Sequence, residues 1–314
     1  MSKPEAALNE MVFAVRDYDL AATLTSGQAF RWRRERLGDG AWEGVISEHW
    51  VQLTQRGDGI AARTGTAVTD WAWLRHYLQI DMDLDAVLLS FPDDEPMREA
   101  VLACRGLRLL RQEPWECLAS FILSSTKQIV QIQQIIALLC ERFGKPLIVP
   151  PGHAPAFAFP TAERLAACAE TELRGCKMGF RAPNLLATAK LLTAGELNLE
   201  SLRTRTTAEA RAALVELPGV GPKIADCVLL FAYGFQDAFP VDVWVLKALN
   251  QLYFAKRRPN PRKLREFADT HFGSNAGYAQ QYLFHYMRTK LGRTLTVPRQ
   301  PKRQLSGVKR RRAK

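Results

Sequence analysis

The 314-residue chain contains no uncharged apolar run of about 18 residues, the length a membrane-spanning helix requires, so no such span is expected. The opening stretch, MSKPEAALNEMVFAVRDYDL, has scattered acids and no apolar core, which argues against a secretory signal. Six cysteines (Cys104, Cys117, Cys140, Cys168, Cys176 and Cys227) lie apart without a CxxC pair. Neither a zinc site nor a disulfide framework is therefore expected, and reduced thiols point to an intracellular protein. The five histidines, His49, His76, His153, His271 and His285, show no ligand spacing, and no cysteine follows Cys227 to build an iron–sulfur loop. No metal and no cofactor are expected. No repeat of 20–50 residues is present.

What is there is enough apolar material, 47% of residues with seven Trp, to fill a sizeable core, which excludes wholesale disorder. At roughly 100–200 residues per domain the length favours two domains. The net charge of +11 is unevenly placed. From Pro298 to Lys314 there are eight basic residues (Arg299, Lys302, Arg303, Lys309, Arg310, Arg311, Arg312, Lys314) and no acid, which leaves +3 for the rest of the chain. A polycationic tail on a mildly basic body points to nucleic acid, with an anionic membrane surface as the alternative.

Along the chain, Phe30–Arg33, Trp42–Ile46, Trp50–Thr54 and Ile60–Thr64 read as short strands. Turn clusters at Leu37–Gly40 and Arg56–Gly59 punctuate them, giving an antiparallel meander with a helix near Trp71–Leu78. After about Asp81 the pattern is helical. Pro92–Pro96 is a helix entry with acids at the positive end of the dipole. From Ile129, the residues Ile132, Ile136, Leu139 and Phe143 line one helical face. A Pro-rich loop covers Pro146–Pro160, and helices follow at about 162–170, 182–194, 207–215, 223–233, 243–253, 261–270 and 276–290. The segment after Thr296 is low-complexity and basic, a flexible tail. The domains are thus placed at 1–115, 116–297 and, for the tail, 298–314.

The informative stretch is Leu217-Pro218-Gly219-Val220-Gly221-Pro222-Lys223-Ile224-Ala225-Asp226-Cys227. Two glycines between helical segments allow positive φ and close backbone approach. Pro222 suits the first turn of the next helix. Such a turn exposes backbone N–H groups as a phosphate cradle, although an ordinary helix–helix turn accounts for the glycines equally well. Lys223 follows at once. As a lone residue it reads as a solvated lysine or a phosphate contact. The helix dipole and burial both disfavour its charge, however, and make the nucleophilic amine more accessible. Nineteen residues on, Asp242 in Pro240-Val241-Asp242-Val243 reads as an N-cap, a role compatible with chemistry.

LPGVGPKIADC followed by FPVDVWVLKAL resembles the helix-hairpin-helix glycosylase motif, and within it the 8-oxoguanine DNA glycosylase/AP lyase family. Distant segments support the resemblance in the family's order: Ser26–Trp32 (SGQAFRW), Gly106–Ser125 and Met178–Ala182. It covers nearly the whole chain except the tail. The resemblance implies an α+β protein, a TATA-binding-protein-like antiparallel sheet domain followed by an all-helical catalytic domain. It implies a bifunctional enzyme that excises 8-oxoguanine from duplex DNA without a cofactor, acting as a monomer in the bacterial cytoplasm and nucleoid or the eukaryotic nucleus.

The resemblance also assigns roles. Lys223 is the nucleophile and Asp242 its electrostatic partner. Gly27 offers the carbonyl that accepts the N7 hydrogen of the oxidised base. Gln280 bonds the base edge, and Phe284 and Cys227 sandwich it; each pair, Gln280 with Phe284 and Cys227 with Lys223, lies four apart and shares a helical face. Gly219, Val220 and Gly221 hold phosphate, while Phe180 fills the vacated stack and Arg181 contacts the opposite cytosine. Without the family, Cys227 is a buried thiol, Phe284 a core aromatic, Gln280 a solvated amide, Phe180 a core residue and Arg181 a surface one.

The periphery departs from the family. Thr126-Lys127-Gln128 replaces an Asn run, and Gln131 stands where an arginine helps read the cytosine, which puts opposite-base discrimination in question. Trp244 replaces a phosphate-contacting histidine, and Met287 an acidic residue. Two alternatives stand beside the main reading. One is a monofunctional alkylated-base glycosylase on the same scaffold, against which Lys223 argues. The other is a noncatalytic hairpin module with a polybasic arm, which leaves Lys223, Asp242, Gln280 and Phe284 unexplained.

Overall fold

The computed structural model describes residues 8–35, 40–125, 127–254 and 259–295. The basic tail, Thr126 and most of the first turn cluster, Leu37–Asp39, lie outside the described residues. The chain begins with strand β1 (Leu8–Ala14) and helix α1 (Leu20–Thr25), followed by β2 (Arg33–Arg34), β3 (Trp42–Ile46), β4 (His49–Arg56) and β5 (Gly59–Val68). Helices α2 (Ala72–Leu78), α3 (Leu84–Leu89), α4 (Glu95–Cys104), α5 (Pro114–Ser124) and α6 (Ile129–Phe143) come next. Then follow α7 (Ala162–Ala166), α8 (Glu170–Arg174), α9 (Ala182–Thr193), α10 (Thr207–Val215), α11 (Pro222–Val228), α12 (Val243–Leu252), α13 (Pro261–His271) and α14 (Ala276–Leu295).

The five strands form one antiparallel sheet in the order β1-β5-β4-β3-β2. The expected meander is present, with two changes. First, β1 was not legible: it is an edge strand whose partner β5 lies fifty residues away, and Met11 to Ala14 pair with Ala62 to Gly59. Second, Phe30–Arg33 is not a strand except at its end. Phe30 turns to the helical body and meets Phe121 edge-on, 5.5 Å between ring centroids. Trp32 lies over Gly44, where a Cβ would stand 2.5 Å from its ring, and its indole N–H donates to the Tyr77 hydroxyl at 2.9 Å. Trp32, Val51, Leu53 and Ile60 close a core with Trp71, which precedes α2, and with Leu74 and Leu78 of α2.

The second core belongs to the helices and includes apolar residues of α3 and α4, with α4 packing along α14. The single helix expected at 162–170 is two. Thr161 caps α7, and at Ala169 the backbone is extended because its N–H donates to Glu172 at 2.7 Å, which starts α8. The helix expected over 223–233 is α-helical only to Val228. Leu229–Tyr233 is a wider π turn, ended by Gly234 at φ +81°. Such insertions re-aim the residues that follow them. Among the described residues, no helix is long and apolar enough to cross a membrane.

A buried amide fastens the loop after α1 to the segment that leads into α5. Gln28, fully buried, donates to the Thr23 and Arg108 carbonyls at 2.9 and 2.8 Å and accepts from Leu110 N–H at 2.8 Å. Gln112 returns a bond to the Gln28 carbonyl at 2.7 Å. Satisfied on both its ends, this side chain fixes the preceding residue, Gly27, against the helical body.

Candidate active site

The hairpin between α10 and α11 is built from opposed requirements. Val220 is buried and anchors the turn, while Gly219 and Gly221 face out. Gly219 has φ +78° and lies so close to Asn184 that a Cβ would meet its side chain at 2.8 Å. Nothing stands within 4 Å of a Cβ at Gly221, so its backbone is open to approach. Thr188 of α9 donates to the Pro218 carbonyl at 3.1 Å and pins the turn from behind.

Pro222 opens α11, and Lys223 leaves its first turn into a cleft of about 1050 Å³. The Lys223 ammonium stands 5.0 Å over the Phe121 ring, a favourable cation–π position, and its charge favours the thiolate of Cys227 one turn on. Burial nevertheless pushes the Cys227 thiol up to about 11, so it stays protonated. Across the cleft, Asp242 caps α12. Its Oδ1 accepts from Trp244 and Val245 N–H at 2.9 and 2.8 Å, and both cap bonds fall on that one oxygen. Burial raises the Asp242 carboxyl above the ordinary aspartate range, opposed by those backbone bonds and by Lys223 and Arg288.

At the floor of the cleft a recess of about 50 Å³ opens between Gly27, Lys223, Cys227, Asp242, Gln280 and Phe284. The Phe284 ring closes it, 3.4 Å from where a Gly27 Cβ would be, and Gly27 itself has φ +80°, so no side chain fits there on either count. Gln280 is 3% exposed, and its Oε1 has no hydrogen-bond partner. A buried acceptor left unpaired costs about 1–3 kcal/mol, which a ligand donor entering the recess recovers.

All six residues expected to act on the base therefore meet in one place, drawn from α1's trailing loop, α11, α12 and α14. Gly219 and Gly221 line the outer cleft and Val220 lies beneath it. Phe180 and Arg181 line neither space. They stand on a short turn before α9, with Phe180 60% exposed and Arg181 only 2%. The Arg181 guanidinium lies 4.2 Å over the Phe180 ring and donates to the Ser125 carbonyl at the cleft's edge. Two positioning residues went unnoticed in the sequence: Gln28, described above, and Gln281, whose amide donates to the Ser26 carbonyl at 3.0 Å and ties α14 to the Gly27 loop. Among the described residues, Glu35, Glu43 and His153 form a group able to hold a metal ion, with donor atoms within 4.8 Å of one another. Glu35 and Glu43 flank the β2–β3 connection while His153 lies 110 residues on from Glu43, so spacing could not reveal the group, and none of the three lines the cleft.

Residues 119–272 match the HhH-GPD superfamily of base excision DNA repair proteins, and residues 10–118 match the N-terminal domain of 8-oxoguanine DNA glycosylase. The chain is 34% identical to N-glycosylase/DNA lyase OGG1 of Arabidopsis thaliana, over 84% of this chain and 76% of that one. It is 30% identical to a probable N-glycosylase/DNA lyase of Methanothermobacter thermautotrophicus, over 88% and 96%. It also superposes on the Clostridium acetobutylicum 8-oxoguanine glycosylase/lyase in complex with dsDNA containing cytosine opposite to 8-oxoG, with a TM-score of 0.82 and 34% identity, over 88% of this chain and 94% of that one. Fold, hairpin and cleft are those of a helix-hairpin-helix repair protein. Within that class the chain belongs to the 8-oxoguanine DNA glycosylase family.

Proposed function

We propose that this protein is a bifunctional DNA glycosylase/AP lyase that removes 8-oxoguanine from duplex DNA, with Lys223 as nucleophile and Asp242 as its electrostatic partner. The observation that carries the reading is the recess itself. It joins a lysine, a capped carboxylate, an open glycine and an unpaired buried amide oxygen around one small space. A base inside a duplex cannot be reached there, so the nucleotide is extruded. At about 50 Å³ the recess holds a few waters at most. A purine therefore enters only as Phe284 moves off Gly27 to stack on one face, with Cys227 on the other. The Gly27 carbonyl accepts the N7 hydrogen that guanine lacks, and the Gln280 amide bonds the base edge.

Lys223 releases its ammonium proton to solvent and attacks C1′ as the free amine; the glycosidic bond breaks, its electron pair leaves with the base, and the base takes up the proton that the attacking nitrogen sheds. Asp242 stabilises the positive charge that develops at the sugar. Ring opening gives a protonated Schiff base on Lys223. That cation acidifies the C2′ hydrogen, and β-elimination then cuts the strand 3′ to the lesion. Gly219 and Gly221 hold the backbone, with Val220 anchoring the turn. Phe180 fills the space the nucleotide leaves, and Arg181 is released from Ser125 to bond the orphaned base. The protein works as a monomer, without cofactor or metal, wherever the cell keeps its DNA: cytoplasm and nucleoid in a bacterium, nucleus in a eukaryote. The tail at 298–314 adds affinity that falls steeply with salt.

Borohydride reduction of the protein mixed with an 8-oxoguanine duplex tests the chemistry. Wild type forms a covalent adduct and Lys223→Gln none, while Lys223→Gln still binds the duplex. Normal trapping by Lys223→Gln would reassign the nucleophile.

A further inference from the structure

Eight large apolar residues stand exposed among the described residues, and three of them, Val130, Val243 and Leu246, line the cleft. Val243 and Leu246 lie on α12, beside Trp244, and Val130 lies on α6. Trp244 also lines the cleft, and its backbone N–H is held by Asp242 Oδ1 at 2.9 Å, so the residue starts from the turn that caps the helix at the carboxylate. The Lys247 ammonium lies 5.7 Å over the indole. Lys247 offers this lip a charge for a phosphate, but the exposed Val243 and Leu246 and the indole face offer one nothing. Nucleobase faces suit it better, but in an intact duplex those faces are covered by their neighbours. They become available only when a nucleotide has left the stack.

We propose that Trp244, supported by Val243 and Leu246, stacks on a base of the lesion strand adjacent to the extruded nucleotide. Lys247 pairs with the phosphate beside it. The inference rests on the reading of the protein as a base-extruding DNA glycosylase and adds a contact that separates the extruded from the intact duplex. Trp244 is a positioning residue: it holds the strand once the lesion has left and touches no reacting atom.

The test places 2-aminopurine immediately 5′ or 3′ of 8-oxoguanine and follows its fluorescence in complexes of Lys223→Gln protein carrying Trp244, Trp244→Phe or Trp244→Ala. Emission at one flank is expected to be quenched with Trp244, partly quenched with Phe and recovered with Ala. Trp244→Ala should weaken binding to the lesion duplex about tenfold, the order expected for one base–aromatic stack. Binding to an undamaged duplex should not change. Equal emission at both flanks with Trp and Ala, or an equal loss on both duplexes, overturns the proposal. Borohydride trapping by Trp244→Ala with Lys223 intact, at saturating lesion duplex, reports folding and chemistry separately. An adduct there alongside unchanged emission rejects the stack alone, whereas no adduct from wild type rejects the glycosylase reading beneath it.

Discussion

Asp242 offers a test in which stability and activity move apart. The carboxylate both caps α12 and sits in the cleft with Lys223, and burial outweighs its favourable partners, leaving its pKa raised. Asn in its place keeps an oxygen for the two backbone N–H groups and loses the charge. Asn and Asp rank together as N-caps, whereas Ala costs about 1 kcal/mol there. A group whose folded pKa lies above its unfolded value binds more protons when folded between the two values, so stability falls as pH rises through that window. At neutral pH the ionised Asp242 is thus a cost to folding. Asp242→Asn should show an unchanged or higher Tm at pH 7, and the difference should close as the pH is lowered to the ordinary aspartate range. Asp242→Ala should lower Tm by about 2–4 °C through the lost cap. Excision goes the other way. A carboxylate about 4 Å from a developing unit charge, at an effective dielectric of about 20, contributes about 4 kcal/mol, or roughly a thousandfold in rate. Single-turnover excision of 8-oxoguanine and thermal melts across pH measure both sides. An Asn variant that excises within about threefold of wild type, or that melts as low as Ala at pH 7, would refute the argument.

Two further outcomes follow from particular contacts. Gln131 is exposed and its side chain accepts from the Gln128 N–H at 3.2 Å, so it serves as a helix cap rather than as a base reader. Wild type, left with Arg181 alone, should therefore prefer cytosine opposite 8-oxoguanine only weakly, whereas Gln131→Arg should gain roughly a further five- to a hundredfold preference, the range of one guanidinium–base contact. A wild-type preference for cytosine already above tenfold would remove that role from Gln131. Buried Asp226 is paired with Arg211 at 2.5 Å and more loosely with Arg265 at 3.6 Å. Arg211→Met should destabilise the protein by about 3 kcal/mol by stranding a buried charge. Burial already raises the Asp226 carboxyl, so the deficit should shrink on acidification as it takes up a proton. A deficit that does not change with pH would show that packing, not charge, is lost.

Much of the site could be read from the chain because its signals are local. The glycine pair, Pro222 and the lysine after it follow from what a tight turn and a helix start require, and Asp242 from what a helix end requires. Cys227 and Phe284 share helical faces with Lys223 and Gln280, but only the family resemblance gave them roles. Other features were hidden for an equally physical reason. Strand β1 needs a partner fifty residues away before it is a strand. The segment Phe30–Trp32 has the composition of a strand but spends its aromatics on two different cores, at Phe121 and at Gly44. Arg181 reads as a surface residue and is buried against the Ser125 carbonyl.

The amino-acid sequence by itself determined the two-part architecture and the hairpin, and it marked Lys223 and Asp242 as candidates, since each depends on residues close together in the chain. Only the tertiary structure decided that Gly27, nearly two hundred residues before Lys223, forms the wall of the same recess. Gln28 and Gln281 hold it there through bonds to backbone groups far away in sequence. It alone decided, too, that the Gln280 oxygen is left without a partner, because an unpaired acceptor is a property of everything packed around it.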